Sequence, residues 1–214
     1  MTFTTAQIIA ALERAIERAL SLHDELNRLD SAMGDGDTGI TVTKAANGLK
    51  AFLAANPPTD DLGQFFFNAG RALNAAASST LGTITATALM RGGKEARGMS
   101  ELDLPTLARM LAAANAGVQE RGKAKPGDKT IVDALDPAAD AFAQAVEAGQ
   151  SLDVAAAAML AAARQGRDSA RALRSQMGRG VWVGERTENQ YDPGTVLLVA
   201  ILEAVSRQPS TPLE

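Results

Sequence analysis

Asp30-Ser31-Ala32-Met33-Gly34-Asp35-Gly36-Asp37-Thr38-Gly39 sets three carboxylates, those of Asp30, Asp35 and Asp37, within eight positions of one glycine-rich stretch. Carboxylates this crowded repel one another unless positive charge lies between them. A hard divalent cation such as Mg²⁺ prefers oxygen ligands and is commonly held by a few carboxylates together with substrate phosphates. The residue types and spacing therefore suit a metal site that carries a nucleotide. They suit equally well a pair of Asx turns, with Asp37 or Thr38 as the N-cap of a following helix. Three standard motifs do not account for the chemistry. Gly34-x-Gly36-x-x-Gly39 has the glycine spacing of a dinucleotide fingerprint, but that motif lies between a strand and a helix. Here the preceding residues have helical periodicity, and Asp35 and Asp37 would meet a pyrophosphate with like charge. An EF-hand loop starting at Asp35 needs Glu at its twelfth position, where Ala46 stands. Gly122-Lys123 is followed by Ala124 and not by Ser or Thr, so it is no Walker A loop.

Three other stretches carry ligand chemistry. Ser78-Ser79-Thr80-Leu81-Gly82-Thr83 lies in an uncharged Ala/Ser/Thr/Gly segment from Ala75 to Met90. It reads either as a tightly packed buried helix or as a turn that offers N–H and hydroxyl groups at a helix N-terminus. Arg121 to Thr130 is a basic, glycine-containing connector, as a solvated loop would be. Met177 to Arg186 holds glycines, Arg179 and the one Trp of the chain, Trp182.

The elements that must position these stretches are helical. Thr4 to Gln7 has the form of a capping box, followed by Ile8, Ile9, Leu12, Ile16, Leu20, Leu22 and Leu26 near a 3.6 period. This predicts one helix of about six turns, ending near Leu29. A second is expected from Thr38 to Ala54, stopped by Asn56-Pro57-Pro58. Asp60 or Asp61 caps a third, with Leu62, Phe65, Phe66, Ala69 and Leu73 inward. The Ala75–Met90 segment supplies a fourth, ended by Arg91-Gly92-Gly93. Ser100 or Asp103 starts a fifth, Val132 a sixth, and Ser151 or Asp153 a seventh that reaches Leu173. The last runs from Asp192 to Val205, with Pro193 at the favoured first helical position. No convincing alternating strand and no dividing linker is present. The expectation is an all-α domain spanning 1–214, about eight antiparallel amphipathic helices in an up-and-down arrangement. The loops after helices one, three, five and seven then emerge at one end, and these are the four chemical stretches.

Bulk properties narrow the function classes. A formal net charge of −4 gives no general attraction to nucleic acid or anionic membranes. The absence of cysteine excludes disulfides and thiolate chemistry and suits a reducing cytoplasm. The single histidine, His23, falls inside the first helical pattern, so imidazole-based metal or triad chemistry has little support. No signal peptide is read at the N-terminus, and the longest apolar run, Val154 to Ala163, is too short to span a bilayer. A cytoplasmic location is expected.

With these residues in place, the chain resembles the nucleotide-binding L subunit of dihydroxyacetone kinase, the DhaL-type domain family, over nearly its whole length. The resemblance is carried by Leu29-Asp30 with Gly34-Asp35-Gly36-Asp37, by Arg121 to Thr130 with Asp133, and by Gly178-Arg179 through Gly184-Glu185-Arg186 to Asp192-Pro193-Gly194. It implies a closed barrel of eight helices with a nucleotide, ADP or ATP, and two Mg²⁺ at one end. Asp30, Asp35 and Asp37 would hold Mg²⁺. Thr38, Gly39, Ile40, Thr41, Thr80, Leu81 and Gly82 would lie beside the phosphates. Gly122 and Ile131 would border the base or sugar, Arg179 would reach a phosphate, and Tyr191, Asp192 and Pro193 would flank the nucleotide. Asp128 and Lys129 would order the basic loop as an ion pair. No catalytic nucleophile is implied, because the family's ketose sits covalently on a His of a separate K subunit, its partner. A phosphotransferase-system protein would replenish a retained nucleotide, or ATP would exchange freely. The chain departs from the family pattern in two motifs: Thr41 stands where Asn is usual, and Ser78-Ser79 where Gly-Gly is usual. Thr38 stands where His is usual, as in the related domain of fatty acid kinases, and Leu81 stands where a phosphate-contacting Ser is usual. A non-catalytic nucleotide-binding or regulatory helical module, or an L-type partner in another kinase system, is the alternative.

Overall fold

The computed structural model describes residues 1–57 and 60–206. Pro58, expected among the residues that stop the second helix, lies outside the described residues. The helices are α1 (Thr5–Leu20), α2 (His23–Met33), α3 (Thr38–Ala55), α4 (Leu62–Ala76), α5 (Thr80–Lys94), α6 (Leu104–Gly122), α7 (Val132–Glu147), α8 (Leu152–Arg171), α9 (Gly180–Val183) and α10 (Pro193–Ser206). A 3-10 turn covers Gly184–Thr187. Helices α1, α3, α4, α5, α6, α7, α8 and α10 each pack on the next, and α10 packs back on α1 to close the ring. Their apolar stripes face inward, with Leu26, Leu62, Leu73, Ala86, Val132, Ala138, Ala155 and Ala163 buried. The fold is all-α.

The helix starts follow local capping chemistry. Thr4 and Gln7 complete the capping box. Asp61, Asp103 and Ser151 each accept the N–H three residues on, at Gln64, Thr106 and Val154. The expected first helix is in fact two. The Ser21 hydroxyl donates to the Arg18 carbonyl at 2.7 Å, a back-bond that competes with helix continuation. The Leu22 N–H then reaches Ala19 O, one residue short of the α-helical partner. The break turns Leu22 into the core, and α2 runs on past Leu29 to Met33. The Ala75–Met90 segment is likewise divided. Ala75 and Ala76 end α4, Ser79 caps α5, and α5 passes through Gly92-Gly93 to Lys94. Two strands of three residues, β1 (Thr2–Thr4) and β2 (Glu101–Asp103), pair antiparallel with Phe3 opposite Leu102. They are too short to leave an alternating pattern in the sequence.

Small residues set the helix spacing. A Cβ on Gly70 of α4 would stand 2.8 Å from Ala86 O of α5, and one on Gly166 of α8 would stand 2.0 Å from Asp133 O of α7. The latter contact falls where Pro137, inside α7, has no N–H to offer the carbonyl four residues earlier.

Candidate functional site

Asp30 sits in the last turn of α2, and its Oδ2 accepts the N–H groups of Asp37 and Thr38 at 2.9 and 3.1 Å. The next N–H, of Gly39, goes to Asn27 Oδ1 at 2.7 Å. The start of α3 is therefore capped from α2. Asp37 occupies the N-cap position without a side-chain capping bond. The turn-and-cap alternative accordingly falls to Asp30 and Asn27, which leaves the Asp37 carboxylate without a hydrogen bond or ion pair among the described residues. One carboxylate oxygen from each of Asp30, Asp35 and Asp37 lies within 4.8 Å of the others. Among the described residues this is the one group of three or more acidic or imidazole side chains so arranged. An all-oxygen donor set of this span, with two of its members exposed, fits a hard divalent cation.

The four stretches converge. A cleft of about 1040 Å³ is lined from the acidic loop by Asp30, Asp35 and Asp37, and from the start of α5 by Ser79, Thr80 and Leu81. Gly122, Thr130 and Ile131 line it from the α6–α7 connector, and Gly178, Arg179 and Gly180 from the loop after α8. Thr38, Thr41, Asp192 and Pro193 complete the expected positions found there. Arg179 Nη1 is ion-paired with Asp35 Oδ2 across the cleft. Ser79 Oγ takes the Gly82 N–H, so the preceding turn of α5 presents Thr80 and Leu81 to the cleft.

Four expected positions are not among its lining residues. Gly39 is pressed against α2, where a Cβ would meet His23 O at 2.0 Å, and Gly82 is pressed against Ala77 O at the same distance. Ile40 projects outward and is 44% exposed. Tyr191 lies under two guanidinium groups, with Arg167 and Arg171 at 5.5 and 5.1 Å from its ring centroid.

The opposite wall rests on buried charge. Asp133 accepts the N–H groups of Gly127 and Thr130 at 2.6 and 2.7 Å and winds the connector around itself. Asp128 pairs with Lys125 and not, as expected, with Lys129. The Lys125 side chain and N–H together hold its carboxyl below the usual range. Lys129 turns away because its left-handed backbone, with φ of 59°, sends the side chain inward. Its ammonium donates to the carbonyls of Arg171, Leu173 and Gln190 at 2.8, 2.9 and 2.8 Å. Burial lowers its pKa, against the opposing pull of Asp192 and Asp133. Asp192 receives the Thr195 N–H at 2.7 Å at the start of α10. It is half-buried, and the cleft reaches it. Burial, helped by the Asp133 carboxylate, pushes its pKa to about 7, with the Thr195 N–H and Lys129 opposing.

The site also uses residues without an obvious sequence signal. Asn27 precedes Asp30 by one helical turn, the only hint that both reach the start of α3. Because Asn27 Oδ1 is held by Gly39 N–H, its Nδ2 faces His23 Nε2 at 3.2 Å. That leaves Nδ1 of the neutral ring to donate to Thr43 Oγ1 at 2.9 Å. His23 is thus a half-buried residue with a share in buttressing the cap.

A family model described as the DAK2 domain matches residues 32–207. L-erythrulose kinase of Pectobacterium atrosepticum is 34% identical over 205 residues, which are 93% of this chain and 34% of that protein. The ADP-binding subunit DhaL of the PEP-dependent dihydroxyacetone kinase of Escherichia coli is 27% identical, over 96% of this chain and 98% of that one. The chain therefore spans about a third of the first of these relatives and nearly all of the second. Among solved structures, the dihydroxyacetone kinase of C. freundii in complex with AMP-PNP and Mg²⁺ superposes with a TM-score of 0.67 at 25% identity, covering 93% of this chain and 33% of that one.

Proposed function

The chain belongs to the DAK2 domain family, and from that membership we propose that it binds a Mg²⁺-nucleotide and supplies the phosphoryl donor of a dihydroxyacetone-type ketose kinase. The observation that carries this is the meeting of three carboxylates, the start of α5 and Arg179 in one cleft. Asp30, Asp35 and Asp37 would hold the metal, which when bound neutralises phosphate charge and orients the transferred group. Thr38 and Thr41 flank the phosphates. Thr80 and Leu81 offer N–H groups to them at the head of α5. Arg179, ion-paired with Asp35 across the cleft, would add charge-assisted donors to a phosphate. Gly122, Ile131 and Pro193 border the base and sugar.

Phosphoryl transfer needs positioning and charge compensation more than covalent help, and this cleft offers both without a nucleophile. The lone His23 is engaged with Thr43 and Asn27 on α2, and the chain has no cysteine. On this reading the acceptor, a short ketose such as dihydroxyacetone or erythrulose, is held by a separate K subunit, as the family resemblance implies. Nucleotide cycles either as ADP recharged by a phosphotransferase-system protein or as exchanging ATP. Among the described residues no helix is long and apolar enough to cross a membrane. One residue favours a second reading, a nucleotide-binding regulatory module: Leu81 has no hydroxyl for a phosphate. Mixing the protein with a K subunit, the ketose and Mg-ATP separates the two. Ketose phosphate is the expected product, whereas nucleotide binding with no product at any ketose tested would leave the regulatory module standing.

A further inference from the structure

The segment between α8 and α10 carries Arg179 and the 91% exposed Trp182, yet both of its stems end on one buried group. Lys129 is 1% exposed. Two of its three ammonium bonds go to the incoming stem, at Arg171 O and Leu173 O, and the third to the outgoing stem, at Gln190 O. All three donors of the ammonium are thereby used. The carbonyls at the end of α8 are the negative pole of that helix, and Gln190 O adds a third oxygen dipole, so a cation is what draws the stems together. Smaller bonds follow the same line. The Gln176 N–H reaches Asp128 O at 3.1 Å, next to Lys129 in the chain. Arg171 Nε donates to Asn189 O at 3.0 Å. The buried Thr187 hydroxyl accepts the Ser175 N–H at 3.0 Å and donates to Gly184 O at 2.8 Å.

We propose that Lys129 is a positioning residue for the phosphoryl-donor site: it reaches the cleft wall, but its ammonium is taken up in clamping both stems of the 174–190 loop, and so it sets where Arg179 stands over the cleft. This rests on the assignment of Arg179 to a phosphate. The Lys125–Asp128 pair leaves the ammonium of Lys129 free for this work, and Asp192, Asp133 and Glu188 are the carboxylates that act on it. No neutral side chain supplies three donors from one atom. The alkyl stem can be replaced by Met at nearly constant volume while the clamp is lost.

The test is a double-mutant cycle on Mg-ADP affinity together with hydrogen exchange of the free protein. Lys129→Met is expected to raise the dissociation constant about tenfold in the wild-type background and less than about twofold when Arg179→Ala is already present, because groups that act through one another are not additive. The amides of Ser175 and Gln176 lose protection in Lys129→Met, while those of α4 and α5 keep theirs. Additive losses in the cycle would overturn the proposal. So would unfolding of both Lys129→Met and the milder Lys129→Gln, since Lys129 would then be a staple of the whole fold and not of one loop. Normal binding by Arg179→Ala alone would instead sink the assignment of Arg179, and hydrogen exchange would still report whether the stems part.

Discussion

Asp30 and Asp37 divide the work of the acidic loop between structure and ligand. Asp30 caps α3 through two N–H groups, whereas the Asp37 side chain makes no such bond. Asp37→Asn is therefore expected to abolish Mg-dependent ADP binding in a calorimetric titration while moving the stability of the free protein by less than about 0.5 kcal/mol. Normal binding by that variant would remove Asp37 from the metal site. Asp192 makes a different prediction. Its folded pKa of about 7 lies well above the ordinary carboxylate value of about 3.9, so the folded state holds a proton that the unfolded chain has lost. Stability contributed by the protonated carboxyl is complete below about pH 4 and is lost as pH rises toward 7. Asp192→Asn keeps an acceptor for the Thr195 N–H and does not ionise. Relative to wild type, its stability should grow between pH 4 and pH 7 by up to ~4 kcal/mol, with solvent in the cleft reducing that figure. Parallel denaturant midpoints across that range would show that Asp192 ionises freely.

Among the elements, the contact of α2 with α3 matters most to the site. Helix α3 starts against α2 so closely that Gly39 has no room for a side chain, a Cβ lying 2.0 Å from His23 O and 2.7 Å from Asn27 Oδ1. Gly39→Ala gains about 1 kcal/mol of helix propensity but drives a methyl into backbone. A net loss of about 1–3 kcal/mol, with weaker Mg-ADP binding, is expected from thermal melts and titrations of the variant. An unchanged melt would mean that α2 and α3 yield freely. Element identity was largely legible in the sequence, because capping boxes, Asp and Ser caps and 3.6 periodicity are local signals. The break at Ser21–Leu22 was not, since it depends on a hydroxyl choosing the Arg18 carbonyl and on a core that accepts Leu22. Tyr191 stands off the cleft wall for a similar reason. Asp192 and Pro193, next along the chain, line the cleft, while two arginines one turn apart on α8 draw its ring the other way.

In the whole molecule, packing of α10 on α1 closes the ring, so the two ends of the fold support each other. One cooperative melting transition is expected for the free protein. ADP and Mg²⁺ together, at about 100 times the dissociation constant, should stabilise it by about 2.7 kcal/mol, or about 5–10 °C in Tm for a chain of this size. Either component alone should shift it far less. A shift with ADP that ignores Mg²⁺ would contradict a metal-bridged nucleotide.

The sequence by itself determined the all-α class, most helix starts, the acidic triad and the four chemical stretches, because these follow from local capping, periodicity and residue type. It also carried the family resemblance, through motifs long enough to be specific. Tertiary structure alone decided which carboxylate caps and which stays free, that Asp128 pairs with Lys125 while Lys129 ties distant stems, and that Gly39, Ile40, Gly82 and Tyr191 stand off the cleft wall. Each of those outcomes depends on partners far apart in the chain, such as Asp30 with Thr38 or Lys129 with Gln190. Their competition for the same N–H or carbonyl is settled only when the ring closes and fixes the distances.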